Sequence, residues 1–261
     1  MNIDLQGKRA LVCGASRGIG RACAIALAQH GAEIVAAARD TDRLEKLTRE
    51  LPAGEDRQHT SISVDFSDRQ ALNDALRDAT ARGSIEIIVN NSGGPAAGSA
   101  IDADPPAFED AFRQHLIADQ IILQKLLPGM KAAAYGRVIN IISTSVKEPI
   151  PGLGVSNVIR GAVASWAKTL AGELGPFGIT VNNVLPGFTA TERLDYIFRQ
   201  RAEVSGQSYE AVRDQALSQV PAGRFASPEE TAAAVTFLAS PAASYINGIN
   251  LPVDGGRTAS L

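Results

Sequence analysis

The sequence predicts an α/β fold in which helices cover both faces of a parallel sheet. Short apolar segments alternate with segments of helical spacing along most of the 261 residues. The apolar segments are continuous rather than alternating, which is typical of strands buried on both faces. Repeated strand–helix units of this kind pack as a parallel sheet between two layers of helices.

The first half of the chain contains four predicted strands. Arg9–Cys13 is a short apolar segment bounded by Gly7 and Gly14, and the helical pattern after it stops at Gly31. Leucines spaced three and four residues apart mark the next helix. The predicted strands are 9–13, 33–38, 61–64 and 85–89, and the helices between them are 18–29, 41–51 and 68–82.

The second half continues the alternation. A long helix is predicted inside 105–133, then a strand at 137–142, a helix at 155–174, a strand at 179–184 and a strand near 249–253. No linker, repeat or low-complexity tract divides the chain, so we expect one domain over residues 1–261. The segment from Glu192 to Asp214 is rich in charges of both signs on a helical background. Such a segment is either a solvated helical excursion or a mobile lid over a site, and 188–220 is the predicted lid segment.

Composition excludes several classes of function. The net charge of −3 argues against a nucleic-acid partner. No apolar run has the length of a signal peptide core or of a membrane span. The two cysteines, Cys13 and Cys23, fit a reducing compartment. We therefore expect a cytoplasmic protein with no membrane partner, and the scattered histidines predict no metal site.

A glycine-rich loop follows the first strand. Glycines at 14, 18 and 20 let the backbone turn sharply and approach a phosphate, and the helix that follows offers free N–H groups and a positive dipole end. The alternative is an ordinary glycine-rich turn. The strand–loop–helix context favours a dinucleotide site, with the predicted contacts Gly14, Ser16, Arg17, Gly18, Ile19 and Gly20.

The end of the second strand predicts which dinucleotide binds. An NAD site has an acid here that binds the ribose 2′-hydroxyl, whereas this sequence has three alanines and then Arg39. Arg17 and Arg39 are suited to charge-assisted contacts with a 2′-phosphate. The alternative is that Arg39 is a surface residue that faces nearby aspartates. The sequence therefore favours NADP over NAD.

Further motifs, in order along the chain, resemble those of the short-chain dehydrogenase/reductase family, in particular its 3-oxoacyl-carrier-protein reductases. They are Val64–Asp68, Asn90–Gly93, Asn182–Gly187 and Val253–Gly256. The resemblance covers nearly the whole chain and implies a single Rossmann-type, doubly wound parallel sheet, a small-molecule substrate and a homo-oligomer, either a tetramer or a dimer. It also implies further cofactor contacts at Asp65, Phe66, Asn90, Gly93, Arg160, Pro186, Gly187 and Thr189.

The resemblance also implies the reaction, and here the sequence departs from the family. The family transfers a hydride between nicotinamide and a carbonyl or alcohol, using Asn, Ser, Tyr and Lys. Ser143 occupies the Ser position, but Ser156 and Arg160 stand at the Tyr and Lys positions, and His115 stands at the Asn position. A serine hydroxyl is a poor acid and an arginine stays protonated, whereas a histidine suits proton transfer. His115 is therefore either a proton donor or a packed helix residue.

Two functions remain open at this point. One is an NADP-linked oxidoreductase in which water, His115 or a substrate group supplies the proton. The other is a dinucleotide-binding sensor or partner subunit with little or no catalysis. Both are compatible with the same fold, because function is decided by the site.

Overall fold

The sheet has seven parallel strands in the part of the chain that the structure, a computed structural model, describes: residues 1–52, 54 and 58–260. The last residue of the predicted domain, Leu261, lies outside this part. The strands are β1 (Arg9–Cys13), β2 (Glu33–Ala38), β3 (Thr60–Ser63), β4 (Ile87–Asn90), β5 (Gly136–Ile141), β6 (Ile179–Pro186) and β7 (Asn250–Val253). Their order is β3-β2-β1-β4-β5-β6-β7. The order reverses between β1 and β4, and in such sheets ligands bind at the carboxyl ends of the strands beside this reversal.

Helices cover both faces of the sheet. They are α1 (Gly18–Gln29), α2 (Thr41–Glu50), α3 (Arg69–Thr80), α4 (Pro105–Phe112), α5 (Ala118–Ala132), α6 (Gly154–Leu174), α7 (Glu192–Ser205), α8 (Tyr209–Leu217) and α9 (Pro228–Ala239). Successive residues of β1 point into different cores, with Val12 in the core beneath α1, α2 and α9 and Leu11 in the core beneath α3, α5 and α6. The predicted doubly wound fold is confirmed.

The predicted long helix inside 105–133 is helical from Pro105 to Ala132, with one irregular turn between its two α-helical parts. Between α4 and α5 the chain makes a wide π turn over Arg113–Ile117. Such turns insert an extra residue into the helical ladder and are frequent at functional sites. His115 lies in this turn and is buried.

Asparagine side chains form a ladder across four strands. Asn90, Asn140, Asn183 and Asn250 occupy paired positions on β4, β5, β6 and β7. Each amide nitrogen donates to the amide oxygen of the next residue, and all three N···O distances are 2.8 Å. The pocket-forming loops follow directly after these strands, so the ladder fixes their relative positions.

The helices α7 and α8 form a small cluster of their own. Its buried members are Leu194, Phe198, Val212 and Ala216, and Phe188 and Phe225 pack against them. Apart from Arg201, which is half-buried, the charged residues of these two helices are exposed to solvent or to the cleft described below. The lid role of 188–220 stays a prediction. None of the described helices has the length and apolar character needed to cross a bilayer.

Candidate active site

A large cleft opens at the carboxyl ends of the strands. Its volume is about 920 Å³, and its walls include the glycine loop, the ends of β4, β5 and β6, and the first turns of α7. It therefore lies beside the reversal of strand order, where the fold class predicts ligand binding. It is large enough to hold a dinucleotide and a small molecule together.

The glycine loop packs against the segment that follows β4. Gly14 and Gly18 have φ angles of +62° and +53°, which other residues rarely adopt. A Cβ on Gly14 would overlap the carbonyl oxygen of Asn91 and lie 2.7 Å from its Nδ2. Gly20 does not line the cleft. A Cβ there would overlap the Gly14 carbonyl oxygen, so Gly20 is needed for close packing of the loop.

The start of α1 is open to an anion. No side chain of the described residues caps it, and the first turn of α1 carries no acid. In contrast, α2 and α3 begin at aspartates whose side chains accept hydrogen bonds from backbone N–H groups. The uncapped N–H groups of α1 face the cleft together with Ser16, Arg17 and Ile19. This arrangement fits a phosphate group.

Three arginines line the far end of this half of the cleft. Arg39 lies 3.8 Å from the Asp65 carboxylate. Arg17 and Arg43 both contact the Glu192 carboxylate, at 3.3 and 3.4 Å. Sequence reasoning missed Arg43, although its place in the first turn of the helix after β2 is visible in the sequence. The three guanidinium groups supply the charged N–H donors that a 2′-phosphate can accept, although three carboxylates balance their charge in this structure.

Most of the other predicted cofactor contacts also line the cleft: Asp65, Phe66, Gly93, Arg160, Pro186, Gly187 and Thr189. The Ser67 backbone N–H and hydroxyl donate to Asp65 and lower the pKa of its carboxyl group. Asn90 is different, because its side chain is buried in the asparagine ladder and is not part of the wall. Its neighbour Asn91 lines the cleft instead. Alternation along a strand explains this, since consecutive side chains point in opposite directions.

Ser143, Ser156 and Arg160 all line the cleft. Ser143 follows β5, and its Oγ accepts a hydrogen bond from the Ser145 backbone N–H at 3.0 Å, so its own hydrogen is free to point elsewhere. Ser156 and Arg160 are one turn apart on α6 and therefore share a face. Two hydroxyl-bearing residues and one guanidinium-bearing residue therefore contribute to the wall of the same cleft.

The Arg160 guanidinium is buried but retains access to the cleft. Its Nη1 donates to the carbonyl oxygen of Ile141 at 3.1 Å. Burial lowers the pKa of Arg160 to about 10, although the nearby Asp119 opposes this shift. Burial in turn raises the pKa of the Asp119 carboxyl well above its usual value. Asp119 was not singled out in the sequence, because an isolated acid in a helix gives no signal.

His115 lies behind the wall of the cleft. It is 2% exposed, and its Nδ1 lies 2.6 Å from the Ser92 hydroxyl oxygen. Its Nε2 has no hydrogen-bond partner among the described residues. Burial and the charge of Arg160 lower the pKa of His115 to about 3, so the ring is neutral near pH 7. Direct proton donation from His115 to a substrate therefore has no geometric support, while Ser92 does line the cleft.

Two more arginines complete the wall beyond Ser143. Arg257 donates from Nη1 to the Thr144 hydroxyl at 3.1 Å, and its guanidinium lies over the Phe188 ring. Arg201 projects from α7 into the same part of the cleft. No metal-binding group of three or more His, Cys, Asp or Glu side chains occurs among the residues that the structure describes.

Known proteins resemble this chain over nearly its whole length. A family model described as enoyl-(acyl carrier protein) reductase matches residues 14–258. The NADPH-dependent reductase BacG of Bacillus subtilis is 30% identical over 260 residues, which cover 97% of this chain and 99% of the relative. The 3-oxoacyl-[acyl-carrier-protein] reductase FabG of Vibrio harveyi is 34% identical over 257 residues, which cover 97% and 98%.

A solved structure extends the likeness to three dimensions. The L-sorbose reductase of Gluconobacter frateurii, complexed with NADPH and L-sorbose, superimposes with a TM-score of 0.92 at 29% identity, and the match covers 100% of both chains. The family model spans the glycine loop, the β4 motif and the carboxyl-terminal motif together. The chain therefore belongs to the short-chain dehydrogenase/reductase family of oxidoreductases.

Proposed function

We propose that this chain is an NADP-linked oxidoreductase that interconverts a carbonyl compound and an alcohol. The observation that carries the proposal is one continuous cleft that joins the dinucleotide elements to Ser143, Ser156 and Arg160. Relatives that cover almost the whole chain are NADPH-dependent reductases, which supports the same reaction class.

The residues of the cofactor half fit NADP. The left-handed glycines at 14 and 18 and the uncapped start of α1 suit the pyrophosphate. Arg17, Arg39 and Arg43 suit a 2′-phosphate. When bound, NADPH supplies the hydride that reduces the carbonyl carbon.

The side chains of the other half act on the substrate oxygen. As the carbonyl carbon is reduced, its oxygen gains negative charge. In our proposal the Ser143 and Ser156 hydroxyls donate hydrogen bonds to this oxygen and fix its position. The positive charge of Arg160 stabilises the developing alkoxide, and a fixed charge in a buried site does this more effectively than water.

The proton reaches the alkoxide through a serine hydroxyl. That hydroxyl gives up its hydrogen to the substrate oxygen and recovers one from solvent in the open cleft, while Arg160 stays protonated throughout. His115 has no direct part in this scheme, because its ring is neutral and lies behind the wall.

The test replaces one hydroxyl in the site and one just outside it. Ser143→Ala should lower kcat for carbonyl reduction by about 10²–10³-fold, the usual effect of removing one donor to a developing oxyanion. Ser145→Ala is the matched control, since its Oγ is buried two residues away and does not line the cleft. The Kd for NADPH should change little in either variant. Equal turnover by both variants would contradict the proposal.

A second candidate function follows from the two positions at which this sequence differs from the residues that the family uses for catalysis. Ser156 and Arg160 stand where the resemblance implies Tyr and Lys, so the chain is alternatively an NADPH-binding sensor or partner subunit without catalysis. That function predicts tight NADPH binding and no turnover on a broad panel of carbonyls and alcohols. Steady-state turnover that disappears in a Gly14→Ala variant would exclude it.

A further inference from the structure

The charged residues of the cleft are segregated along its length. Of the described residues that line it, the acidic ones are Asp40, Asp65 and Glu192. All three lie within 4 Å of an arginine in the cofactor half. The half beyond Ser143 therefore holds arginines without an acid in the described part of its wall.

Arg201 and Arg257 are the central pair of this half. Arg257 is held in place by its hydrogen bond to the Thr144 hydroxyl and by the Phe188 ring, whose centroid lies 4.7 Å from the guanidinium carbon. Thr144 is the residue after Ser143, so this guanidinium lies next to the proposed reaction centre. The Nε of Arg257 is buried and has no hydrogen-bond partner among the described residues.

The positive charges of the two guanidinium groups repel each other. Burial and the charge of Arg257 together lower the pKa of Arg201. Placing like charges side by side in a partly dehydrated wall costs free energy. An anion between them would remove this cost. Planar guanidinium groups are suited to paired contacts with carboxylate or phosphate oxygens.

We propose that Arg201 and Arg257 bind an anionic group of the substrate, a carboxylate or a phosphate, next to the carbonyl held by Ser143. This inference rests on the proposed function, since it names the substrate class of the same cleft. It makes the substrate an oxo acid or a phosphorylated ketone, with the corresponding hydroxy compound as product. The arginines of the cofactor half form ion pairs with acids and lie beside the glycine loop, so they are not part of this subsite.

Matched pairs of charged and neutral compounds test the proposal. The probes are 2- and 3-oxo acids against their methyl esters, and dihydroxyacetone phosphate against dihydroxyacetone. The variants are Arg201→Gln and Arg257→Gln. Arg199→Gln is the control, because Arg199 lies on the same helix, is exposed and does not line the cleft.

Two readouts are measured in the presence of saturating cofactor. For wild type, at least one charged probe should have a kcat/KM at least 10-fold above that of its neutral partner, and both site variants should lose this preference while the control keeps it. The same probe should also raise the Tm of the complex with NADP⁺ above that in sodium chloride of equal ionic strength. The Kd for NADPH should stay within about twofold in all variants. Whether the oxo acid or the phosphate compound gives these effects identifies the anionic group.

The experiment can refute the anion subsite and the oxidoreductase function independently of each other. An arginine-dependent rise in Tm without turnover would support the anion subsite and contradict the oxidoreductase function. Turnover of neutral compounds that equals or exceeds turnover of their charged partners would overturn the anion subsite and leave the oxidoreductase function intact. Loss of NADPH affinity in Arg201→Gln or Arg257→Gln would also overturn it, because the two arginines would then belong to the cofactor site. Absence of any charge preference in both readouts overturns it as well.

Discussion

The preference for NADP should depend more on Arg43 than on Arg39. The Arg39 side chain is 71% exposed, whereas Arg43 is 46% exposed and stays in the wall through its contacts with Asp40 and Glu192. Contacts between exposed charges are worth about 0.2–1 kcal/mol, and charge-assisted hydrogen bonds at better-ordered sites are worth about 1.5–3 kcal/mol. We therefore assign about 1 kcal/mol to Arg39 and about 2 kcal/mol to Arg43.

These values convert directly into affinities. A tenfold change in Kd corresponds to about 1.4 kcal/mol, so Arg39→Ala should weaken NADPH binding about 5-fold and Arg43→Ala about 30-fold. NADH has no 2′-phosphate, so its Kd should change less than about twofold. Titration of the nicotinamide fluorescence with each protein, at low and at moderate salt, gives both constants. Arg49→Ala on the same helix is the control, since Arg49 is exposed and does not line the cleft.

The same reasoning predicts an effect of opposite sign at Glu192. Its carboxylate already neutralises Arg17 and Arg43 and would repel an incoming phosphate. Glu192→Gln should therefore tighten NADPH binding a few-fold without affecting NADH. Equal weakening of NADH and NADPH in Arg43→Ala, or no tightening in Glu192→Gln, would refute the assignment of this end of the cleft to the 2′-phosphate.

Four other predictions concern stability and loop geometry. In the wild-type protein the buried His115 ring stays neutral between about pH 6.5 and 3, whereas the histidine of the unfolded chain takes up a proton. The wild-type free energy of unfolding should therefore fall by about 1.4 kcal/mol per pH unit as the pH decreases through this range. His115→Asn should flatten this pH dependence, which urea titrations measure. Gly14→Ala should abolish NADPH binding in fluorescence titrations, since its Cβ would overlap backbone at a φ of +62°. Asn140→Leu should cost about 2–5 kcal/mol in urea unfolding, because it strands a buried donor and a buried acceptor in the ladder. The Arg224 guanidinium lowers the pKa of Glu230 to about 2, so this pair stabilises the fold above about pH 4.5 and less as the pH falls toward 2, and Arg224→Gln should remove that part of the acid dependence of Tm.

Local pattern was sufficient to predict the fold. The strands and helices of the first half were predicted within two residues of their observed ends, because their apolar residues face cores on both sides of the sheet. The helix α9 was missed. Its central residues are mostly small and apolar and pack on α1 and the sheet, so it lacks the contrast between a polar and an apolar face that marks a surface helix.

The site was predicted in part, and the omissions have a common cause. The glycine loop is contiguous in the sequence, so its residues could be recognised together. Arg201 and Arg257 are far apart in the chain and come close only because α7 and the carboxyl-terminal segment both contribute to the wall of the cleft. His115 was judged by its unperturbed pKa, which does not include the burial imposed by the π turn. The role of these three residues depends on their surroundings in the folded chain, which residue type alone does not reveal.

The asparagine ladder also affects how the walls of the cleft respond to proton uptake and release. Its amides donate in one direction, from β4 toward β7, so their dipoles add along the row and each bond strengthens the next. Amides neither gain nor lose protons at accessible pH. The strands that carry the β4 loop, Ser143 and the Pro186–Gly187 turn are thus held in register by a network that does not titrate. Proton uptake and release during turnover can occur beside this network without changing the spacing between the walls of the cleft.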